Sequence, residues 1–566
     1  MSDTTTLPSF EPPGPGAWEL ETVHNARPGC TFTQAPMIEG FGPGFSASTA
    51  RYGVMLDRIQ PAYVNGFTYT QAQPFGAPPG AKGLPPKIIF QLLMRLVPKI
   101  RARLRTSQEA FTKKQWRLDL AEWDERVRPA SDKKHREIQA VEPSALSDAA
   151  LVDHIEVCRD QFRDMVKQHH TYTVTCCIPV GDLLAHVHAW TGKKPGEVLQ
   201  VLRGSSQISL GVAHAELGAL AAAIRGDETS RTTLASNEDG GAIIERLKSD
   251  TGAVGDAMRA YLDIVAHRTL GYDVNGKCAI EMPSIIVAAV RAAVSGERAA
   301  DDGAKARIAT LREAIPEEHK AEFDVLIGEA RMINRLRDER GHYSDGWAVG
   351  LLRRALIEAG RRLAKSGKMD DPELAVDTTF EELRALLMDK GGPSIDELKR
   401  RERWRNTRSI SDADIPRTLG GTPGKPPPAD WLPEHGRRTQ RAIAAFMGSM
   451  FDEPEVSRTA VSVKGLPVSP GTYEGIARLV DAETDFDRIQ QGDVLVTRST
   501  SPYFNVVLPL LGAIVTDRGG QLCHAAIVSR EYGIPGVVGT REATKLVKDG
   551  QRVRVDGTRG EVTVIE

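Results

Sequence analysis

Apolar residues recur every three or four positions through the long middle of the chain, with charged residues between them. This period is that of an amphipathic helix. It begins near Lys87 and recurs in segments such as IIFQLLMRLVPKIRARL, DHIEVCRDQFRDMVKQHH and GLLRRALIEAGRRLA. The pattern predicts a large, mostly helical domain over residues 91–419.

The segments on either side of this helical region have a different composition. Residues 1–90 are rich in Pro, Gly and aromatic residues, as in PGPGAW, GFGPGF and PFGAPPG, which predicts a loop-rich segment packed on the next domain. Residues 420–464 open with GGTPGKPPPADWLP, whose prolines cannot continue a helix, and then carry one more helical pattern. We therefore predict a Pro/Gly linker with one helix.

Residues 465–566 change to short runs that are typical of β-strands, such as DVLVTRS, GAIVTD and RVRVDG, with short helices between them. This composition predicts a separate, small α/β domain. The predicted fold class is therefore multidomain α+β, with a large, mostly helical domain followed by the small α/β domain.

Composition narrows the function only by exclusion. The 566 residues exceed the roughly 100–200 residues of one ordinary domain, and a formal net charge of −2 gives no electrostatic reason to expect nucleic acid or a membrane as partner. No apolar stretch approaches the about 20 residues of a spanning helix, and we expect a cytoplasmic protein. The six cysteines have no CxxC pair, so we predict neither a metal site nor disulfides.

One histidine stands out near the end of the sequence, in TDRGGQLCHAAIVSREYGIPGVVG. GAIVTD is typical of a buried strand, RGGQLC of a turn, and HAAIVSREY of a helix that ends at Gly533. His524 would then lie at the start of the helix, where backbone N–H groups and the positive end of the dipole favour an anion. A neutral imidazole there can attack a phosphoryl group, and Gly519 and Gly520 let the turn approach closely.

The same run, together with VSPGTYEGIARLV and GDVLVTRSTSPYF, resembles the phosphohistidine, or swivelling, domain of the phosphoenolpyruvate-utilising enzymes. The resemblance implies that His524 accepts the phosphoryl group. The residues that it implies for the phosphohistidine loop and its helix are Gly519, Gly520, Cys523 and Arg530. Leu522 stands where the family commonly has Thr, so one hydroxyl near the phosphoryl group is missing.

The rest of the chain resembles the C-terminal two-thirds of rifampicin phosphotransferase and the large subunit of phenylphosphate synthase and related aryl-phosphate synthases. The segments that carry this resemblance include LRGSSQISLGVA and YLDIVAHRTLGYDVNGKCAIEMPS. No ATP-grasp domain, no GK[ST] loop and no GxGxxG motif is readable. The resemblance therefore implies that a separate ATP-grasp subunit binds ATP and Mg²⁺, that this chain alone binds no cofactor, and that AMP and phosphate are released.

These observations predict the carrier subunit of a hetero-oligomeric, dikinase-type phosphotransferase whose helical domain binds the substrate. The phosphoryl group on His524 would pass to the hydroxyl of an aromatic alcohol such as a phenol or cresol. Two alternatives remain open: a split antibiotic phosphotransferase of the rifampicin type, and a non-catalytic phosphorelay or regulatory protein.

The helical domain offers candidates for the two tasks that the transfer requires. A guanidinium stabilises the spread charge of a transferring phosphoryl group, and the candidates for this contact are Arg268, Arg337 and Arg340. The acceptor hydroxyl must also lose its proton to a base. His186, His188 and His267 are the candidates, and the sequence does not separate them.

Overall fold

A computed structural model gives the architecture of the chain. It describes residues 9–565 except 23–25, 79, 81–82, 207, 209–210, 270, 272, 297–302, 425, 452–456, 481–482, 501–503 and 505–506.

Helices make up most of the region before the α/β domain and also occur within it, where the last two described helices lie. They are α1 Thr31–Arg51, α2 Lys87–Leu96, α3 Pro98–Thr112, α4 Gln115–Glu122, α5 Arg128–Gln139, α6 Asp148–Thr171, α7 Thr173–Thr191, α8 Pro195–Val198, α9 His214–Gly226, α10 Glu228–Ala235, α11 Gly240–Lys248, α12 Ala253–Val265, α13 Pro283–Ser295, α14 Ala304–Glu313, α15 Lys320–Asn334, α16 Leu336–His342, α17 Asp345–Lys365, α18 Phe380–Leu387, α19 Ile395–Thr407, α20 Glu434–Phe451, α21 His524–Tyr532 and α22 Ala543–Leu546.

The strands form one four-stranded and one eight-stranded sheet. They are β1 Trp18–Leu20, β2 Leu56–Val64, β3 Phe67–Pro74, β4 Thr418–Leu419, β5 Ser462–Lys464, β6 Leu466–Ser469, β7 Thr472–Val480, β8 Asp493–Thr497, β9 Leu511–Thr516, β10 Gly536–Val538, β11 Arg552–Asp556 and β12 Glu561–Val564. The sheet orders are β2-β3-β1-β4 and β5-β12-β11-β7-β8-β9-β10-β6. The predicted multidomain α+β class is confirmed.

Two compact units divide the chain by their internal contacts. Unit 1 comprises Met1–Thr175, Tyr272–Asn275 and Tyr343–Gln440, and unit 2 comprises Cys176–Gly271, Gly276–His342 and Arg441–Glu566. The sequence predicts a single helical domain over 91–419, whereas the contacts divide this range between the units. The reason is long-range packing: α6 and α17 pack on each other within unit 1, although more than 170 residues separate them.

The first 90 residues are not the loop-rich segment that their composition predicts. α1 runs for 21 residues despite containing Pro36 and Pro43. A Cβ at Gly40 would lie 2.4 Å from the Arg163 carbonyl oxygen, and one at Gly44 would lie 2.3 Å from that of Lys167. These glycines therefore let α1 pack closely on α6, and this long-range contact stabilises a helix that local composition disfavours.

The segment YVNGFTYT in the same region forms a hairpin rather than a loop. β2 and β3 pair in antiparallel register from Leu56 opposite Pro74 to Val64 opposite Phe67. Asn65 and Gly66 form its two-residue turn with φ of 52° and 81°. Positive φ at both central residues is the geometry that Asn-Gly favours.

The segment 420–464, predicted as a linker with one helix, contains α20 and also the strand β5, which pairs with β12. Part of this prediction, residues 452–456 and Lys425, lies outside the described residues. The eight-stranded sheet therefore begins a few residues before the predicted boundary at 465.

In unit 2, the centre of the eight-stranded sheet is parallel: β7, β8, β9 and β10 pair in that order. All five residues of β8 are buried, because apolar clusters cover both faces of the sheet. One of these clusters includes Met282 and Ile285 at the start of α13. The chain passes from β9 through a turn and α21 to β10, so α21 begins at the carboxyl end of a central parallel strand, a frequent position for ligand sites.

Among the described residues, no helix combines the length and apolar character that crossing a bilayer would require.

Candidate functional site

His524 is the first residue of α21, as the sequence predicts. Cys523 precedes it as the N-cap in an extended conformation, and the helix ends at Gly533, whose φ is 65°. Ala525, Ala526 and Val528 on α21 belong to the apolar cluster on one face of the sheet. The packing of these small apolar residues fixes the start of the helix, and with it the half-buried imidazole.

The glycines before His524 are required by close contacts. Gly519 has φ of 109°, and a Cβ there would lie 2.6 Å from the Cys523 sulfur. A Cβ at Gly520 would lie 2.5 Å from the Ser449 carbonyl oxygen near the end of α20. The Gly520 N–H donates to the Met450 carbonyl at 3.2 Å and the Leu522 N–H to that of Ser449 at 3.2 Å. The phosphohistidine loop thus caps the last turn of α20.

The Thr500 hydroxyl fixes the orientation of the His524 ring. Its Oγ1 lies 2.9 Å from His524 Nδ1. Leu522, at the position where the related enzymes commonly have Thr, is buried. A hydroxyl is therefore present beside the imidazole, but it comes from the segment after β8 and not from the phosphohistidine loop.

The surroundings of His524 favour a neutral imidazole. Burial holds the pKa of His524 well below its usual value, and the neighbouring His342 and Arg337 further disfavour a second positive charge. A neutral ring keeps one nitrogen lone pair available for attack. Burial also raises the pKa of the Cys523 thiol, so Cys523 stays protonated and is not a competing nucleophile.

Arg337 and His342 both lie on α16 and both act on His524. The Nη1 atom of Arg337 and the Nε2 atom of His342 are buried, and neither has a hydrogen-bond partner among the described residues. A buried polar atom without a partner is costly, and such atoms are frequent where a ligand supplies the missing contact. These two side chains therefore offer two hydrogen-bonding atoms that a polar ligand near His524 would satisfy.

Arg268 is buried and hydrogen-bonds the backbone of His342. Its Nε donates to the Ile264 carbonyl at 2.7 Å, and its Nη1 donates to the His342 carbonyl. Burial, reinforced by the Arg268 charge, lowers the pKa of His342 to about 3. Arg268 therefore fixes the end of α16 and keeps His342 neutral.

Arg530 lies on α21 and supports the backbone of the turn that precedes His524. Its Nη2 donates to the Gln521 carbonyl at 2.9 Å, and the side chain is buried. Burial lowers the pKa of Arg530 to about 10, so the guanidinium remains charged at neutral pH. Its Nη1 also donates to the Val468 carbonyl on β6 at 3.4 Å, so Arg530 joins the turn before His524 to the sheet.

The other predicted candidates have contacts elsewhere. His186 Nδ1 lies 2.8 Å from the Asp182 carbonyl oxygen, and the exposed His188 has its Nδ1 3.0 Å from that of Lys193. His267 is half-buried in the turn after α12. Arg340 acts on the buried thiol of Cys176. Of the predicted cations and bases, Arg337 acts electrostatically on His524, and Arg268 acts on His342.

Two residues of the site escape sequence reasoning. Thr500 lies in the quoted run GDVLVTRSTSPYF, but nothing in that run connects its hydroxyl to an imidazole 24 residues later. His342 follows Arg337 by five positions in RMINRLRDERGHY, which is the only available signal.

A loop of unit 2 hydrogen-bonds α21 next to the site. The Gly204 N–H donates to the Glu531 carboxylate at 2.8 Å. On its other side, Ser205 accepts from Asn334 at 3.0 Å, and Arg331 donates to the Arg203 carbonyl at 3.0 Å. This loop thus connects α21 to the end of α15, directly before α16.

Glu531 gives this contact a testable pH dependence. Burial raises its pKa to about 7, and the folded state therefore binds an extra proton between roughly pH 4.5 and 7 that the unfolded chain does not. The stability contribution of Glu531 is thus lost as pH rises through this window. We expect Glu531→Gln to melt above the wild type by a margin that widens from about pH 5 to about pH 8. A margin that stays constant in parallel thermal melts would contradict the raised pKa.

Two family models match the two parts of the chain that contain most residues of the site. Residues 489–560 match the family described as the PEP-utilising enzyme mobile domain, and residues 169–338 match the rifampicin phosphotransferase fourth domain. The first range contains His524 and the second contains Arg268 and Arg337, whereas His342 lies just beyond it.

The chain is similar to two kinds of curated protein. It is 41% identical over 168 residues to a probable phosphoenolpyruvate synthase from Archaeoglobus fulgidus, which covers 27% of this chain and 22% of the relative. It is 30% identical over 347 residues to a rifampicin phosphotransferase from Streptomyces sp., which covers 58% of this chain and 36% of the relative. The chain thus spans between about a fifth and just over a third of these relatives.

A solution structure of Enzyme I aligns with 50% of this chain and with 72% of its own chain at 17% identity. The TM-score of this alignment is 0.15, which is too low to indicate a shared fold. The predicted resemblance to the PEP-utilising enzymes and to rifampicin phosphotransferase is confirmed: residues 489–560 are similar to the mobile domain of the former, and residues 169–338 to the fourth domain of the latter.

Proposed function

We propose that this chain is the carrier component of a dikinase-type phosphotransferase, in which His524 receives a phosphoryl group and passes it to the hydroxyl of a small aromatic alcohol. One observation carries the proposal: a neutral imidazole begins a helix, with Thr500 on one ring nitrogen and the Arg337 charge beside it. Each feature serves nucleophilic attack on phosphorus.

The charging step uses the ring nitrogen that Thr500 does not engage. With the proton on Nδ1 and Thr500 accepting it, the Nε2 lone pair attacks phosphorus. The N–P bond forms as the bond from phosphorus to the donor oxygen breaks, and the bonding pair leaves with that oxygen. The resulting phosphohistidine keeps its Nδ1 proton, so neutral imidazole is the leaving group in the next transfer.

Charge stabilisation falls to Arg337 and to the start of α21. The transition state of phosphoryl transfer is loose and spreads negative charge over the equatorial oxygens. The guanidinium of Arg337 offers a buried donor, Nη1, without a partner among the described residues. The first N–H groups of α21 add the positive end of the helix dipole.

ATP and Mg²⁺ belong, in this proposal, to a separate ATP-grasp polypeptide that releases AMP and phosphate. The groups that act on His524 are an imidazole and a guanidinium, whereas Mg²⁺ prefers carboxylate and phosphate oxygens. These residues do not fit the cation, and we assign no step at His524 to it.

A second candidate acceptor has its own support. The similarity to rifampicin phosphotransferase extends over 58% of this chain, including the helical segment in which an acceptor would bind. An antibiotic of the rifampicin type is therefore the alternative to a phenol. A relay protein, phosphorylated but without an acceptor alcohol, is the third possibility.

One assay separates these functions. The full chain is mixed with ATP, Mg²⁺ and an ATP-grasp protein encoded beside its gene, and phenol, cresols and rifampicin are supplied in turn. The proposal predicts AMP and an aryl phosphate with a phenol. Turnover with rifampicin alone would establish the second candidate, and phosphoprotein that discharges to none of them would support a relay.

The role of Thr500 is testable in the charging step alone. Thr500→Val removes the group that orients Nδ1, and the loss of one hydrogen bond to a reacting ring should slow phosphorylation of His524 roughly 10-fold. Thr500→Ser keeps the hydroxyl and should remain near the wild-type rate. Phosphoramidate, a small donor with an N–P bond, can charge the protein without any partner. Equal rates for the Val variant and the wild type would contradict this role.

A further inference from the structure

A second imidazole of unit 2 remains unexplained by the carrier chemistry. His342 ends α16, is 7% exposed, and its buried Nε2 has no hydrogen-bond partner among the described residues. A core histidine without a role usually satisfies both ring nitrogens, because an unpaired buried nitrogen destabilises the fold. His342 Nε2 is thus a buried polar atom to which none of the described residues supplies a partner.

The helix that His342 ends is connected to the helix that His524 begins. α16 follows α15 directly, and Asn334 and Arg331 at the end of α15 bind the loop whose Gly204 N–H reaches Glu531 on α21. His524 begins that same helix, and it interacts electrostatically with both Arg337 and His342. One helix therefore presents a cation for the phosphoryl group and, five residues later, an imidazole.

We propose that His342 is the base that takes the proton from the acceptor hydroxyl when the phosphoryl group leaves His524. This inference rests on the proposed transfer to a hydroxyl and names a residue for its second step. Of the bases that the sequence suggests, His186 lies beside carboxylates, with its Nδ1 3.3 Å from Asp182 and its Nε2 3.9 Å from Glu322. The Nδ1 of His188 lies 3.0 Å from the Lys193 carbonyl oxygen.

The step balances in atoms and charge. The acceptor oxygen forms a bond to phosphorus as the N–P bond to His524 breaks, and neutral imidazole leaves with its Nδ1 proton. The hydroxyl proton moves to His342 Nε2, which becomes an imidazolium and later releases the proton to solvent. The products are the phosphate ester, neutral His524 and protonated His342.

The environment of His342 suits a base that must be unprotonated before the transfer. Arg268 lies against it and donates to its backbone carbonyl, which holds the ring in place and keeps it neutral while His524 carries no phosphoryl group. A phosphoryl dianion on His524 introduces negative charge nearby, which raises the basicity of the imidazole at the moment when a proton must be taken. The base is thus activated by the phosphorylated state itself.

The test separates the two half-reactions in the full chain. His524 is charged with phosphoramidate and excess donor is removed. Single-turnover discharge is then followed at about pH 8 with two acceptors: phenol, which is protonated there, and the stronger acid 4-nitrophenol, which is largely ionised there. His342→Gln should slow discharge to phenol by about 10²–10⁴-fold, slow charging far less than that, and barely affect discharge to 4-nitrophenol, which needs no base. His319→Gln, a histidine stacked on Trp190, is the matched control.

Each other outcome overturns the inference in a recognisable way. Equal slowing with both acceptors would make His342 a structural or positioning residue, and no slowing would remove it from the reaction. A larger loss with phenol from His186→Gln than from His342→Gln would assign the base to His186. Failure of the wild-type protein to be charged at His524, or to discharge to either phenol, would instead refute the proposed function on which the inference rests.

Discussion

Replacing His524 by alanine is expected to abolish phosphoryl transfer, with a loss of at least about 10³-fold that reaches the assay background. The imidazole is the covalent intermediate in this account, so no neighbouring group can replace it. Cys523, the adjacent side chain, remains a protonated thiol because burial raises its pKa. The measurement is turnover with the ATP-grasp partner, together with charging by phosphoramidate.

The fold should survive this substitution, which makes the result interpretable. His524 is half-buried at a helix start, and the apolar residues of α21 that follow it supply the packing. His319→Gln provides a histidine control away from the site. An alanine variant that retains turnover would end the carrier role of His524, whatever the acceptor.

The second large effect is expected at Arg337. Arg337→Ala should lower the rate of transfer by about 10²–10³-fold, because it removes a preorganised cation from the place where phosphoryl charge develops. The same substitution should raise the pKa of His524, since the Arg337 charge disfavours its protonated form. A rate assay and titration of the imidazole by NMR measure the two effects independently.

Arg335, two residues before Arg337, offers a control substitution for Arg337→Ala. Its guanidinium lies 2.8 Å from the carboxylate of the buried Glu339, so the Arg335 charge is paired and supports α16. Arg335→Ala should therefore leave the transfer rate within a few-fold of the wild type. Equal losses from the two alanine variants would mean that Arg337 acts through the stability of α16 and not through its charge.

The parts of the fold that depend on local pattern could be predicted from the sequence. The helical middle follows from the period of its apolar residues, and the α/β domain from its short β-type runs. The Asn65-Gly66 turn was also readable, although the surrounding Pro and Gly residues suggested loops. α1 was not readable, because its stability depends on Gly40 and Gly44 meeting α6, a contact between residues distant in sequence.

The residues of the candidate site also fall into two groups, those that local sequence signals identify and those that only the fold identifies. Local signals identify His524: a strand, a glycine turn and a helix that ends at Gly533. Arg337 was one of several arginines on amphipathic helices. Both Arg337 and Arg340 act on the Cys176 thiol, and only the fold shows that Arg337 also acts on His524. Thr500 and His342 could not be found from sequence, because each reaches His524 through tertiary packing and neither lies in a motif.

The central claim is that a phosphoryl group resides on one imidazole. The direct measurement is to charge the full chain with phosphoramidate, map the modified residue by mass spectrometry under alkaline conditions, and add phenol. We predict an acid-labile phosphoryl group on His524, absent from the His524→Ala variant, that disappears as phenyl phosphate forms. A chain that takes up no phosphoryl group at His524, or that carries it only on other residues, would contradict the account.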